Sequence, residues 1–256
     1  MLTLATWRLE IVLKYSWICM AMTVLPVLAP ASAQTPVPAN IAAAVEDSNR
    51  PDLDQFRDDR RKPAETLAFA QVSEGMTIAE MIPGNGYYTR ILAKAVGPEG
   101  KIYTFPGSEP RGPLSAALSK DPAYGNIEMI RGNFGALDVP EPVDLVWTSQ
   151  NYHDVRTMAD QVNRAAFDAL KPGGIYFIVD HAANPGAGDE TIALHRIDEN
   201  IVKQQVLDAG FVLEAEGDFL RNPDDDRTRQ IMERDLNRKT DQFVLRFRKP
   251  DQETGN

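Results

Sequence analysis

Between Met76 and Arg248, short apolar runs alternate with segments of helical character, and this alternation constrains the fold more than any other feature of the chain. MTIAEMI (76–82) reads as a buried strand, with a helix over 87–96 behind it. KIYTF (101–105) is a second strand, followed by a short helix near 114–119. NIEMIR (126–131) and VDLVWT (143–148) are the third and fourth strands. A helix over 156–170 stops at Lys171-Pro172-Gly173-Gly174, and IYFIVDH (175–181) is the fifth strand. A long helix over 190–209 closes at Gly210, and FVLEAEGDFL (211–220) and DQFVLRFR (241–248) complete the set. Strands alternating with helices dictate a parallel sheet covered on both faces. The last two strands have no obvious crossover helix between them, which predicts an antiparallel hairpin at one end of a seven-stranded, mostly parallel α/β sheet.

The N-terminal segment belongs outside this fold. Arg8 and Lys14 flank an apolar stretch over 15–28 that is too short for a confident span and is interrupted by Pro26. Ala31-Ser32-Ala33 then supplies a small-x-small cleavage pattern, so residues 1–33 read as a signal peptide and the protein as exported to the periplasm, with no stable membrane insertion after cleavage. Residues 34–40 are a proline-bearing tether, and 41–256 form a single domain whose first part, 41–74, is helical, with Pro63 at a helix start and Gly75 at the end. Cys19 is the only cysteine, so the exported chain is held by its core without disulfides. A net charge of −10 and the lack of a basic stripe with interleaved aromatics argue against nucleic-acid binding. DDRRK (58–62) reads as a solvated helix face with internal ion pairs.

In open α/β sheets ligands bind beyond the carboxyl ends of the strands. Functional side chains are therefore expected just after Ile82, Phe105, Arg131, Thr148 and Val179. The first of these places holds PGNG (83–86), a glycine turn between a strand and a helix. Together with VDLVWTSQNYHD, LKPGGIYFIVDH and the terminal AGF…DQFVLRFRKP, the stretch PGNGYYTRILA makes residues 75–250 resemble the class I S-adenosylmethionine (SAM) dependent methyltransferases, in particular a branch of exported small-molecule enzymes. That resemblance implies a Rossmann-like methyltransferase fold, SAM as cofactor and a small-molecule acceptor.

Carried over residue by residue, the resemblance places Gly84, Asn85 and Gly86 at the turn that approaches the methionine portion, and Glu80 where the family keeps an acid for the cofactor's ammonium end. Tyr87 and Tyr88 follow the turn, where one could lie over the cofactor or both could pack. Two departures stand out. Ile82 replaces a family glycine, and Pro106 occupies the second-strand position of a ribose-binding carboxylate, leaving Glu109 as the nearest acid. Asn133 stands where an acid often receives the adenine amino group, and its amide oxygen can accept the same bond. Phe134 is placed to stack on the adenine ring.

The chain has three histidines, and all three fall at the expected carboxyl rim: His153 with Asp154, His181 with Asp180, and His195 with Asp198. Imidazole suits removal of a proton from a methyl acceptor. On a helix through 190–209, His195 and Asp198 would share a flank. His153 and His195 are the candidate bases, with His181 and Asp198 as further catalytic candidates. No tight metal motif such as HExxH occurs, so no metal ligands are assigned, although Asp154 and Asp180-His181 stand near the places where metal-dependent catechol-type methyltransferases carry theirs. Two other readings stay open: an enzyme on this fold that no longer uses SAM and works through its histidine rim, and a non-catalytic ligand-binding protein. Trp147 is expected in the core.

Overall fold

The computed structural model describes residues 36–106, 117–132, 135–236 and 239–251. The expected leader lies outside them, as do Glu109, Asn133, Phe134 and the first half of the helix expected at 114–119. Among the described residues one sheet is formed by β1 (Thr77–Met81), β2 (Lys101–Phe105), β3 (Ile127–Met129), β4 (Val143–Ser149), β5 (Leu170–His181), β6 (Val212–Gly217) and β7 (Gln242–Arg248). Their spatial order is β3-β2-β1-β4-β5-β7-β6. The strands β1 to β5 pair in parallel, while β7 runs antiparallel to both β5 and β6. The expected mixed sheet with its terminal hairpin is thus present. Because β1 is flanked by β2 on one side and β4 on the other, the chain reverses its winding there, and a crevice opens at the carboxyl ends of β1 and β4.

Strand alternation divides the apolar side chains between two layers. Met81, Phe105, Val146, Ile178 and Phe247 face one layer, covered by α7 (Ala159–Ala169) and α8 (Glu199–Asp208). Ile78, Ile102, Leu145, Trp147 and Phe177 face the other, covered by α1 (Ala39–Val45), α4 (Pro63–Phe69) and α5 (Tyr87–Ala95). Trp147 is fully buried and stacks on Phe177 with ring centroids 4.3 Å apart. Burial of a side chain of this size stabilises the fold by roughly 2–3 kcal/mol.

Three expected helices differ in form. The N-terminal region breaks at Pro51 and at Lys62, whose φ of 41° is left-handed, so α2 (Asp52–Gln55) and α3 (Asp58–Arg61) are short. The helix expected at 156–170 begins earlier, as α6 (Tyr152–Val155) and a 3-10 turn, before α7. The helix expected at 190–209 is two pieces: a 3-10 helix, Asp189–Leu194, ends at His195, and α8 starts only at Glu199. Between them Ile197 forms a parallel bridge to Ala182, which pulls the chain alongside β5 and interrupts the helix.

Candidate active site

The turn after β1 carries three left-handed residues, Ile82 (φ 49°), Gly84 (φ 55°) and Gly86 (φ 78°). A β-branched residue with positive φ is an outlier, so the fold keeps the conformation of a glycine loop even where glycine is replaced. Two side chains fix it. Asn151 donates from Nδ2 to the carbonyls of Met81 (3.3 Å) and Ile82 (3.2 Å). Arg90, buried in α5, donates to the carbonyls of Asn85 and Gly86 (both 3.0 Å) and to Asp54 Oδ2 (2.7 Å). The turn's carbonyls are thus engaged from behind, while among the described residues the N–H groups of Gly84 and Asn85 have no hydrogen-bond partner.

The two glycines differ. A Cβ on Gly84 would meet no atom within 4 Å, whereas one on Gly86 would lie 2.3 Å from Leu118 Cδ1. Gly84 therefore borders open space and Gly86 is a packing requirement at the start of α5.

Under the turn lies a cavity of about 250 Å³. Glu80, Gly84, Asn85, Tyr87, Arg57, Arg61 and Asp154 are among its lining residues. Glu80 is 3% exposed and its Oε2 has no hydrogen-bond partner among the described residues. Burial pushes its carboxyl up to about 7, against the pull of the Thr89 hydroxyl and the Arg90 and Arg61 charges. A buried carboxyl with an orphaned oxygen is a receptor for a cation or a donor group.

α3 contributes to this cavity and is no solvated face. Asp58 accepts from Tyr87 Oη (2.6 Å) and pairs with Arg50, and the Arg61 guanidinium lies 4.5 Å from the Tyr87 ring centroid and donates to Gln150 Oε1 (2.6 Å). Tyr87 thus borders the cavity while Tyr88 packs edge-on against Tyr87 and over Trp147.

A second group of side chains stands on the adjoining part of the rim. His153 Nδ1 is 2.8 Å from Asp180 Oδ1, and Asp180 also accepts from the backbone N–H groups of His153 (2.8 Å) and His181 (2.7 Å). Burial works to raise the Asp180 pKa, but the charge and the hydrogen bonds of His153 hold it below the usual carboxylate range. Asp180 is thus an acceptor, His153 Nδ1 carries the hydrogen, and in the neutral ring Nε2 is left with a lone pair. That atom is 3.3 Å from His195 Nδ1. Asp154 Oδ1 lies 3.5 Å from His153 Nε2 and 3.5 Å from His195 Nδ1. Asp154 therefore belongs both to this cluster and to the cavity wall.

The expected partnership of His195 with Asp198 does not form. His195 takes a left-handed conformation at the end of the 3-10 helix, so the two are not on one helical flank. Asp198 is instead the N-cap of α8, accepting from Asn200 N–H (2.9 Å), and it anchors Gly186 N–H (2.7 Å). His181 also stands apart. Successive strand residues face opposite ways, so Asp180 turns toward His153 while His181 donates or accepts at Thr240 Oγ1 (2.7 Å). Burial pushes the His181 pKa down to about 3, despite Asp180 beside it, and the ring stays neutral.

Sequence reasoning missed Arg90 and Asn151. Arg90 is an arginine on the apolar side of an otherwise buried helix, and Asn151 directly follows a strand; both placements signal a backbone to be satisfied.

No known family profile matches the chain. Over 104 residues it is 32% identical to the demethylmenaquinone methyltransferase of Lactococcus lactis, covering 39% of this chain and 40% of that enzyme. Over 110 residues it is 28% identical to the protein-L-isoaspartate O-methyltransferase of Methanosarcina mazei, covering 42% of each. The chain thus matches less than half the length of these curated relatives. Among solved structures, a SAM-dependent methyltransferase from Aquifex aeolicus superposes with a TM-score of 0.57 at 18% identity, over 75% of this chain and 92% of that one. The cyclase SpnF superposes with a TM-score of 0.55 at 17% identity, over 78% and 80% of the two chains. At such identities the likeness is one of fold.

Proposed function

We propose that this chain belongs to the class I SAM-dependent methyltransferase superfamily and transfers a methyl group from SAM to a small-molecule acceptor in the cavity beneath its glycine turn. One observation carries the reading: Asp154 lines the cavity that also holds Glu80 and Gly84, and it stands within 3.5 Å of both cluster histidines. A cofactor receptor and a proton-accepting cluster therefore meet at Asp154.

The residues fit the cofactor's amino-acid end. The Glu80 oxygen and the Gly84 and Asn85 N–H groups have no partner among the described residues and suit an ammonium and an acceptor oxygen, and Arg57 and Arg61 line the same cavity and suit a carboxylate. Bound SAM supplies an electron-poor methyl group on a sulfonium centre, leaving as a neutral thioether after transfer. The chain's part is to hold the acceptor in line and take up its proton. Asp180 fixes the His153 ring, His153 Nε2 and Asp154 make an electron-rich corner, and His195, with a side chain 35% exposed, is the member the acceptor reaches first.

Calorimetric titration of SAM and S-adenosylhomocysteine into the purified chain tests this reading. Micromolar binding of both supports it, and a folded sample that binds neither at millimolar concentration overturns it. The second outcome would favour the alternative, an enzyme on this fold working without SAM, for which Pro106 at the ribose-acid position speaks. Export is part of the proposal, resting on the 8–33 segment. Recovery of a chain starting at Gln34 from the cell envelope supports export, and a cytosolic chain that retains Met1 contradicts it.

A further inference from the structure

A second cavity, of about 170 Å³, lies beside the one beneath the glycine turn, and Arg61 and Gln150 line both. The bond from Arg61 to Gln150 Oε1 (2.6 Å) therefore belongs to the wall between them. Gln150 is fixed in that place. Its φ of 58° is left-handed, its N–H donates to the Val179 carbonyl (2.7 Å), and its Nε2 donates to Gln242 Oε1 (2.9 Å). The rest of the lining is Arg60 from α3, His181 at the end of β5, and Ile231 and Met232.

The tautomer of His181 follows from its neighbour. The Thr240 hydroxyl is buried, and among the described residues His181 Nδ1, 2.7 Å away, is its one partner. A hydrogen on Nδ1 would leave the hydroxyl hydrogen without an acceptor, so the hydroxyl donates and Nδ1 accepts. In the neutral ring, which burial maintains, the hydrogen is then on Nε2. His181 is 5% exposed and lines the cavity, and among the described residues its Nε2 has no hydrogen-bond partner. A buried donor without a partner marks a place for an acceptor atom of a ligand.

The other walls indicate what carries that atom. Arg60 brings a guanidinium, whose fork of five N–H groups lets it keep its contacts within the protein and still donate to a ligand. Among the described residues no carboxylate lines the cavity, in a chain of net charge −10. Guanidinium and imidazole N–H groups together suit a carboxylate. Ile231 and Met232 supply the apolar side. The Ile231 N–H donates to the Leu194 carbonyl (3.3 Å), which holds this segment in place, and a methionine thioether packs well against an aromatic ring. A cavity of about 150 Å³ takes one benzene molecule, so the space suits a single-ring acid.

We propose that this second cavity binds a single-ring aromatic carboxylate, its carboxylate on His181 Nε2–H and Arg60 and its ring against Ile231 and Met232. The site follows from the cavity and the His181 tautomer. That its occupant is the methyl acceptor rests on the methyltransferase reading, and the wall shared through Arg61 and Gln150 puts it next to the cofactor cavity. His181 is then a recognition residue, separate from the proton-accepting cluster.

Calorimetric titration of benzoate into the purified chain, with benzamide as the uncharged analogue, tests the site. One benzoate per chain is expected, with benzamide weaker by about tenfold or more. His181→Ala and Arg60→Gln should each weaken benzoate by about tenfold, in samples with unchanged far-ultraviolet circular dichroism. His181→Gln, which keeps an N–H donor, should lose less. Arg60 is part-exposed, so its variant reads the site even where His181→Ala fails to fold. Imidazole nitrogen-15 spectra should show the His181 hydrogen on Nε2, and benzoate should shift that nitrogen more than Nδ1. A hydrogen on Nδ1 overturns the site, and so does benzoate binding that is absent at millimolar concentration or equal in the parent and Arg60→Gln. SAM titrations of the same samples separate the two readings. SAM binding without benzoate binding leaves the methyltransferase reading standing and ends this one. Benzoate binding without SAM binding keeps the carboxylate site and ends its assignment to a methyl acceptor.

Discussion

The turn after β1 and the cluster after β4 and β5 share one edge of the sheet but are built from different material. The turn is backbone, held in left-handed geometry by Arg90 and Asn151, and the groups it offers are N–H donors and one buried carboxyl. The cluster is side chain throughout, three residues from two separate segments aligned by a buried Asp180. Backbone geometry of that kind survives a change of residue, as Ile82 demonstrates, because flanking bonds enforce it. A side-chain cluster does not survive the loss of one member. The turn's conformation should thus tolerate a change at Ile82, whereas the cluster should not tolerate the loss of a member.

The largest expected effect falls on the cluster. His195→Ala should lower turnover by about a hundredfold or more, with SAM affinity within threefold of the parent, by single-turnover assay once an acceptor is in hand. Asp198→Ala is its counterpart. Loss of a helix cap should cost about 1–2 kcal/mol in denaturant melts with turnover per folded molecule unchanged. Equal losses of turnover from both would restore the His195–Asp198 partnership that the geometry rejects.

Glu80→Gln should weaken SAM by about 2–3 kcal/mol, the worth of a charged hydrogen bond in a dry site, measured by calorimetry. The same substitution has a pH signature. The folded value of about 7 lies above the ordinary value of 4.5 for a glutamate carboxyl, so the folded chain favours the protonated carboxyl. The stability this group contributes is full below the unfolded value and is lost as pH rises through 7, an amount of about 3 kcal/mol. The difference in melting between parent and Glu80→Gln should therefore grow across pH 4.5–7 in favour of the variant and level off above. A flat difference would mean that Glu80 is not buried as described.

Smaller effects separate the glycines. Gly86→Ala puts a methyl against Leu118 in a left-handed position and should cost about 2–3 kcal/mol of stability. Gly84→Ala should cost about 1 kcal/mol and act mainly on SAM affinity, because its Cβ enters open space. Ile82→Gly is the smallest: relief of left-handed strain offsets lost burial, leaving stability within about 1 kcal/mol. A large gain in SAM affinity from Ile82→Gly would show that the turn is not already in its working form.

Much of this was legible in the residues. Strand periodicity and the order of apolar runs gave the sheet, the rule that ligands sit beyond carboxyl ends brought the three histidines to one rim, and Glu80 came from the family resemblance. The β5 alternation that sends Asp180 and His181 to opposite faces was legible too, yet sequence adjacency made VDH look like one unit. The break at His195 was not, because the bridge from Ile197 to Ala182 is a tertiary event that overrides a good helical pattern. Nor was the role of DDRRK: a charged run looks solvated until Tyr87 and Gln150 are seen to receive it.

The central claim is that Glu80 receives the cofactor's ammonium group, and its titration gives the most direct test. SAM binding at pH 6, measured by calorimetry in two buffers of different ionisation enthalpy, should release roughly one proton per chain, since a carboxyl held near 7 must ionise to pair with a cation. Glu80→Gln should bind more weakly and release none. Tight SAM binding without proton release, or release that persists in the variant, would contradict the account.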